Sequence, residues 1–241
     1  MKNILIFSVL SMFLMTGCLW VFDKTGIQGS GTVTIEQRAV SSFDKIEIIS
    51  GVFTVYLSQG DVESVEVEID DNLQLYIEVR NEGSKLVIEI IDRIKLGKTT
   101  KNNIYITLKD IDLLSVTGVC NIKTSGSLYL PAFTFDVNGV CNGELELFCD
   151  QLNAHLDGVS KIELRGKVKN LYVNNSGVGN FNGRKLEAVK ANVINSGVGS
   201  VSVYATEELS MTNSGVGSIT YSGDAEVKTM NSSGVGKIKK E

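Results

Sequence analysis

The sequence predicts an all-β protein, a parallel β-helix or solenoid whose coils of about 19 residues fold into two sheets joined by Gly-x-Gly corners. Three observations carry this. A "GV" phrase recurs at Gly118, Gly139, Gly158, Gly177, Gly197, Gly215 and Gly234, in steps of 18 to 21 residues. Apolar and other residues alternate on both sides of each phrase, which is the period-two signature of strands. The composition, with one Pro, 24 Gly and abundant Val, Ile and Thr, suits pleated, half-buried surfaces.

The elements follow in chain order. Lys2 precedes an apolar run from Ile4 to Met15 and then "MTGC", a targeting segment to be set aside before the fold is read. It resembles a lipoprotein signal over residues 1–17, with cleavage before Cys18 leaving that residue as a lipid-carrying N-terminus; an ordinary signal or an uncleaved anchor are the alternatives. The run is short for a membrane span. Residues 18–31 read as a tether, and residues 32–241 as a single β-helix domain whose regular repeats occupy 113–239.

Within that domain, residues 32–113 are less regular. "TVTIEQRAV", "FDKIEIISGVFTVYLSQGD", "SVEVEID", "KLVIEII" and "NIYITLKD" are strand-like, and "DDNLQLY" is the place for one short helix. The corner phrase appears once here, as "SGVF" from Ser50, so this half is expected to form the first, longer coils and to cap the solenoid, because an open sheet end invites aggregation.

From Leu113 onward the repeat sets the geometry. Four residues before each marker stand Leu114, Phe135, Ala154, Val173, Val193, Met211 and Met230; two before stand Val116, Val137, Leu156, Asn175, Asn195, Asn213 and Ser232. Both columns share one parity and face the core. About 19 residues at ~3.3 Å each make a perimeter near 60 Å, enough for two strands and two turns. Asn175, Asn195 and Asn213 should stack into a ladder whose amides bond one another and the turn backbone. The corner is where glycine is needed, for a positive φ or for a backbone passing close over its neighbour, and this assigns Gly177, Gly179, Gly197, Gly199, Gly215, Gly217, Gly234 and Gly236 as structural corner residues. Cys120 and Cys141 are equivalent positions in successive coils, within reach of a disulfide but poorly oriented for one. A stacked pair of thiols is the favoured reading, with Cys149 buried.

The chain resembles the auto-transporter adhesin family with the head GIN domain, found on lipoproteins of diderm bacteria. The resemblance spans about residues 28–239 and is carried by "SSFDKIEIISGVFTVYLSQGDVESVEVEIDDNLQLYIEV" from Ser41 and by the repeated Ser-Gly-x-Gly corners. It implies a right-handed β-helix similar to pectin-lyase-like proteins but without their catalytic residues, and a role in cell adhesion. The chain departs from the family in placing Val, not Ser, between the glycines, and in having no translocator barrel, whose place as anchor Cys18 would take.

Chemistry is sparse. The one His, His155, faces outward without partners dictated by the repeat, which does not make a general acid–base site. Asp61, Asp70 and Asp71 lie in turns, and the residues after the corners, Asn180, Ser200, Ser218 and Lys237, do not follow the calcium β-roll pattern. A nucleotide loop would need a helix after its glycines, where this chain has a strand. A formal charge of −5, or −6 once Lys2 leaves with the signal, disfavours nucleic acid. The expectation is therefore no enzyme, no metal and no cofactor. The sharper candidate is a partner ridge at Val178, Val198 and Val216, part of a column with Val119, Val140, Val159 and Val235. Parity puts these valines on an outer edge, unless it slips at the corner and tucks them inward. The expected role is a non-catalytic outer-membrane lipoprotein on the cell surface or the periplasmic face, acting as an adhesion or binding module with a glycan, a protein or a second copy as partner. The alternative is a periplasmic glycan- or partner-binding sensor in envelope maintenance.

Overall fold

The structure, a computed structural model, describes residues 26–91 and 94–241; the expected signal at residues 1–17 and the lipidation site Cys18 lie outside the described residues. The strands are β1 (Val33–Arg38), β2 (Lys45–Ile48), β3 (Val52–Gln59), β4 (Ser64–Asp70), β5 (Ile77–Glu82), β6 (Lys85–Ile90), β7 (Asn102–Leu108), β8 (Leu113–Val116), β9 (Val119–Thr124), β10 (Leu128–Val137), β11 (Val140–Leu156), β12 (Val159–Asn175), β13 (Val178–Asn195), β14 (Val201–Asn213), β15 (Ile219–Ser222), β16 (Glu226–Ser232) and β17 (Ile238–Lys240). The expected short helix is a 3-10 segment, Asp71–Tyr76.

Two stacks of strands run along the solenoid axis. In the first, β7, β3, β9, β11, β12, β13, β14, β15 and β17 pair in parallel order. In the second the order is β6, β2, β8, β10, β11, β12, β13, β14 and β16. Strands β11 to β14 belong to both. The two strands expected in each middle coil are continuous, single strands of 17 or 18 residues for β11 to β13, interrupted only at the glycine corner. The other bend is made by two successive outward residues, such as Asp150 and Gln151 between buried Cys149 and Leu152, which shift the parity without breaking the ladder.

The N-terminal half differs from a simple run of longer coils. It caps the solenoid with antiparallel pairs, β1 on β4, β4 on β7 and β5 on β6. Strands β2 and β3, which flank the first corner, lie between this cap and the strands β8 and β9 that follow it in sequence. The chain therefore leaves its first corner to build the cap and then returns to the opposite side. Residues 26–31, read in the sequence as the end of a tether, are docked on the domain, while residues 18–25 lie outside the described residues. Ile27 bridges Leu96, the Gly29 amide donates to the Lys98 carbonyl at 2.9 Å, and the Gly31 amide donates to the Asp70 carboxylate at 2.8 Å.

The core is a set of inward columns. Val55, Ile122, Ile162, Phe181, Val201 and Ile219 form one, and Leu114, Phe135, Ala154, Val173, Val193 and Met211 another, all essentially without exposure. Burying each larger side chain contributes about 1.5–3 kcal/mol. Met230, next in the second column, is exposed because no further rung in the described residues covers it.

Candidate partner-binding edge

The Gly-x-Gly corner has two glycines with two different reasons. At the first, coils pass too close for a side chain. A Cβ on Gly177 would lie 2.1 Å from the Gly158 carbonyl oxygen, and Gly197, Gly215 and Gly234 repeat this on their predecessors. Here the backbone stays in ordinary conformations, and the corner is held by bonds such as Gly177 N–H to Leu156 at 2.8 Å and Val178 N–H to Gly158 at 2.9 Å.

The second glycine changes character along the axis. Gly199, Gly217 and Gly236 have φ of 138°, 142° and 154°, on the left-handed side where side chains are strained. In the earlier coils the equivalent residues are Cys120, Cys141 and Ser160, which sit inside extended strands and can carry a side chain. Gly179 is transitional, lacking a positive φ but leaving no room for a Cβ, which would meet the Ser160 carbonyl at 1.9 Å.

The asparagines belong to this later type of corner. Asn175 Nδ2 donates to Asn195 Oδ1 at 2.8 Å and Asn195 Nδ2 to Asn213 Oδ1 at 2.9 Å, all three buried. Asn195 and Asn213 also donate to the carbonyls of Gly199 and Gly217, at 3.4 and 2.9 Å. Glycine leaves its carbonyl bare inside the corner, and the amide satisfies it. The ladder ends beneath Leu156, so the Asn175 Oδ1 is left without a partner. In the early coils Cys120 and Cys141 face each other with Sγ atoms 3.8 Å apart, both as free thiols, as is buried Cys149. Hydrogen bonding to Cys120 and burial push the Cys141 thiol far up, and burial pushes Cys149 up to about 12, which suppresses thiolate chemistry.

On the outer side of the same corner, parity holds. Val119, Val140, Val159, Val178, Val198, Val216 and Val235 are exposed, by 41% to 73%, and the inward alternative does not occur. The structure adds an eighth that the 19-residue period hid. Val52 pairs with Val119 in register and is 63% exposed. The residues before the glycines, Asp157, Ser176, Ser196, Ser214 and Ser233, also point outward. Because the chain turns at the glycine, the two side-chain rows splay apart and bound a groove of about 830 Å³ with a backbone floor. One bank is hydroxylic except at Asp157, and the other is isopropyl. A second cleft of about 820 Å³ opens at the cap end, where Val52, Phe53 and Val119 face Ile94 and Leu96.

The titratable candidates sit elsewhere. His155 faces outward as expected but has neighbours, with its ring 5.6 Å from that of Tyr172 and Asp136 on the adjacent rung. Burial raises the Asp136 carboxyl, with His155 pulling it back down and Asp157 pushing it up. Asp70 spends its oxygens on the Gly31 amide and on the amide and hydroxyl of Thr100, each at 2.8 Å. Asp71 accepts from Ser30 Oγ at 2.5 Å, and Asp61 is exposed. Among the described residues no three His, Cys, Asp or Glu side chains converge in a way that could hold a metal ion.

A capped coil of parallel strands, whose most regular surface is an apolar edge along the axis, defines a β-solenoid. Residues 42–225 match the family described as "Putative auto-transporter adhesin, head GIN domain", and the chain belongs to that family. A solved structure of a putative adhesin from Bacteroides fragilis is 28% identical, with a TM-score of 0.86 over 90% of this chain and 100% of that one. Two others share the fold at lower identity. A putative lipid binding protein from Parabacteroides distasonis is 24% identical, with a TM-score of 0.64 over 89% of this chain and 99% of that one. A putative adhesin from Parabacteroides merdae is 18% identical, with a TM-score of 0.64 over 89% and 98%. No curated protein matches. The family and the Bacteroides fragilis protein are described as adhesins, and the coarse class is an adhesion or binding module of the cell surface or envelope.

Proposed function

We propose that this chain is a lipid-anchored, non-catalytic adhesion or binding module of the cell envelope, tethered through Cys18 in the outer membrane, and that its contact surface is the valine edge. The observation that carries the reading is the column of eight exposed valines in strict register over a glycine floor. Contiguous exposed apolar surface of this extent is unusual for a surface without a partner. The apolar run before Cys18 supports the anchor, and the family description supports adhesion.

The test is an array of glycans and matrix proteins probed with the chain and with a variant carrying Val178→Lys, Val198→Lys and Val216→Lys. Exposed substitutions cost little stability, within about 0.5 kcal/mol each. Binding should fall at least about tenfold in the triple variant and remain unchanged in Val62→Lys, an exposed valine outside the edge. Equal binding by all three proteins would move the contact surface away from this edge. Labelling of Cys18 with a radioactive fatty acid, lost in Cys18→Ser, checks the anchor.

A further inference from the structure

Resting on the reading of the valine edge as the contact surface, we infer that its partner is a second copy of this chain, paired edge to edge about a two-fold axis parallel to the solenoid axis. The geometry is self-complementary in the way a two-fold interface requires, since each copy must offer both halves of the contact. Each corner triplet carries a ridge residue, Val, beside a glycine floor, and the rows repeat over eight rungs from Ser50-Gly51-Val52 to Ser233-Gly234-Val235. With the axis along the solenoid, the valine ridge of one copy lies over the glycine groove of the other, reciprocally. An axis across the solenoid would instead set valine on valine and serine on serine.

The rung spacing also matches by construction. Both copies repeat at ~4.8 Å, so alignment at one rung aligns all eight. An extended ligand with any other repeat would drift out of step. Charge points the same way. Among the eight triplets the only ionisable side chain is Asp157, on the outer bank of its groove, in a chain whose formal charge is −5. The edge is therefore the neutral stripe along which two acidic copies can approach without repulsion.

The size of the stripe sets the strength. Seven steps of ~4.8 Å make a ridge of about 34 Å. With a width of about 15 Å for two splayed rows, each copy would contribute about 500 Å² and the pair about 1,000 Å², the lower limit for a specific interface. The pair should be reversible rather than obligate. In the parallel arrangement both Gly26 residues, docked near Leu96 at the cap end, lie at the same end of the pair. Both chains could then be anchored in one membrane, where tethering raises the effective concentration.

Sedimentation equilibrium of the full chain, from about 1 to about 300 µM, should show a reversible monomer–dimer equilibrium in the micromolar range. Val178→Lys with Val198→Lys should raise the dissociation constant at least about tenfold, while Val62→Lys should leave it unchanged. Under mild oxidation, Val178→Cys and Val216→Cys should each cross-link to the same position on a second copy, above the background of the unsubstituted chain. A chain that stays monomeric throughout, or Lys variants that pair like the parent, overturns the inference. So does cross-linking confined to mixtures of Val140→Cys with Val198→Cys, which would report an antiparallel pair. A monomeric chain whose array binding still falls on Val→Lys substitution would sink self-pairing and leave the binding edge standing. Self-pairing without array binding would limit that edge to its own copies.

Discussion

At the scale of single residues, glycine separates into two roles that look identical in the sequence. Gly177 has ordinary backbone angles, and its side-chain space is occupied by the Gly158 carbonyl at 2.1 Å. Gly177→Ala must therefore push two coils apart, and we expect a loss of about 3 kcal/mol or more in urea unfolding, in the range of other severe overpacking changes. Gly83, at φ 63° with nothing within 4 Å of its missing Cβ, serves as the contrast. Ala there should cost only about 1–2 kcal/mol, for backbone strain. A cost at Gly177 no larger than at Gly83 would mean that the corner relaxes easily. The need for glycine was legible from the repeat, but which physical need applied was not, because φ and the distance between coils leave no separate mark in the letters. Asn175, Asn195 and Asn213 were legible as a ladder. Bonds to the turn backbone were expected with it; that they go to the carbonyls of Gly199 and Gly217, at positive φ, is what the coordinates add.

At the scale of elements, the middle strands followed their alternation closely, while the cap did not. Antiparallel pairing of β1 with β4 and of β4 with β7 uses the same period-two pattern as parallel pairing, so the residues "TVTIEQR" and "SVEVEID" carried no sign of direction. Nor was the docking of residues 26–31 visible, since "GIQGSG" has the composition of a linker and is held by a remote carboxylate. That carboxylate, Asp70, is raised by burial, but donation from Thr100 and Gly31 outweighs it and holds the group below its ordinary value. Glu68 is lowered by Lys101, against burial, with Asn103 and Tyr105 assisting. Folded values below unfolded ones of about 4 mean that this stabilisation is complete above pH 4 and disappears as the pH falls through the folded values. Unfolding midpoints should therefore drop on acidification below about pH 4. Asp70→Asn should cost about 2 kcal/mol at pH 7 and flatten that acid limb. An unchanged limb in the variant would assign acid sensitivity to other carboxylates.

At the scale of the whole molecule, stability should vary along the axis, because each coil touches only its neighbours. Strands β11 to β13 have a rung on either side and inward residues with almost no exposure, whereas β16 and β17 pair on one side only. Hydrogen exchange should be slowest at Gly177 and Gly197 and in the strands around them, and fastest in β17, differing by several orders of magnitude. Uniform protection would mean that the solenoid opens as one unit. The number of regular coils and their spacing were readable from the glycines, whereas the sequence left the valines either on an outer edge or tucked inward, and only their exposure decides between the two. The first corner was visible as "SGVF", but its place in the valine column was not, because the cap is inserted between Gly51 and Gly118 and breaks the count.

That insertion governs how the molecule can be assembled. With β2 and β3 beneath the cap, the described residues up to Leu108 already form a platform that offers the edges of β2 and β3 to the coils that follow. Every later coil then needs only the edge left by the coil before it, at a sequence separation of about 19 residues, a short loop to close. A chain delivered amino end first can thus wind itself onto its own template as it arrives. Its length is set by how many turns are supplied rather than by any contact between its two ends.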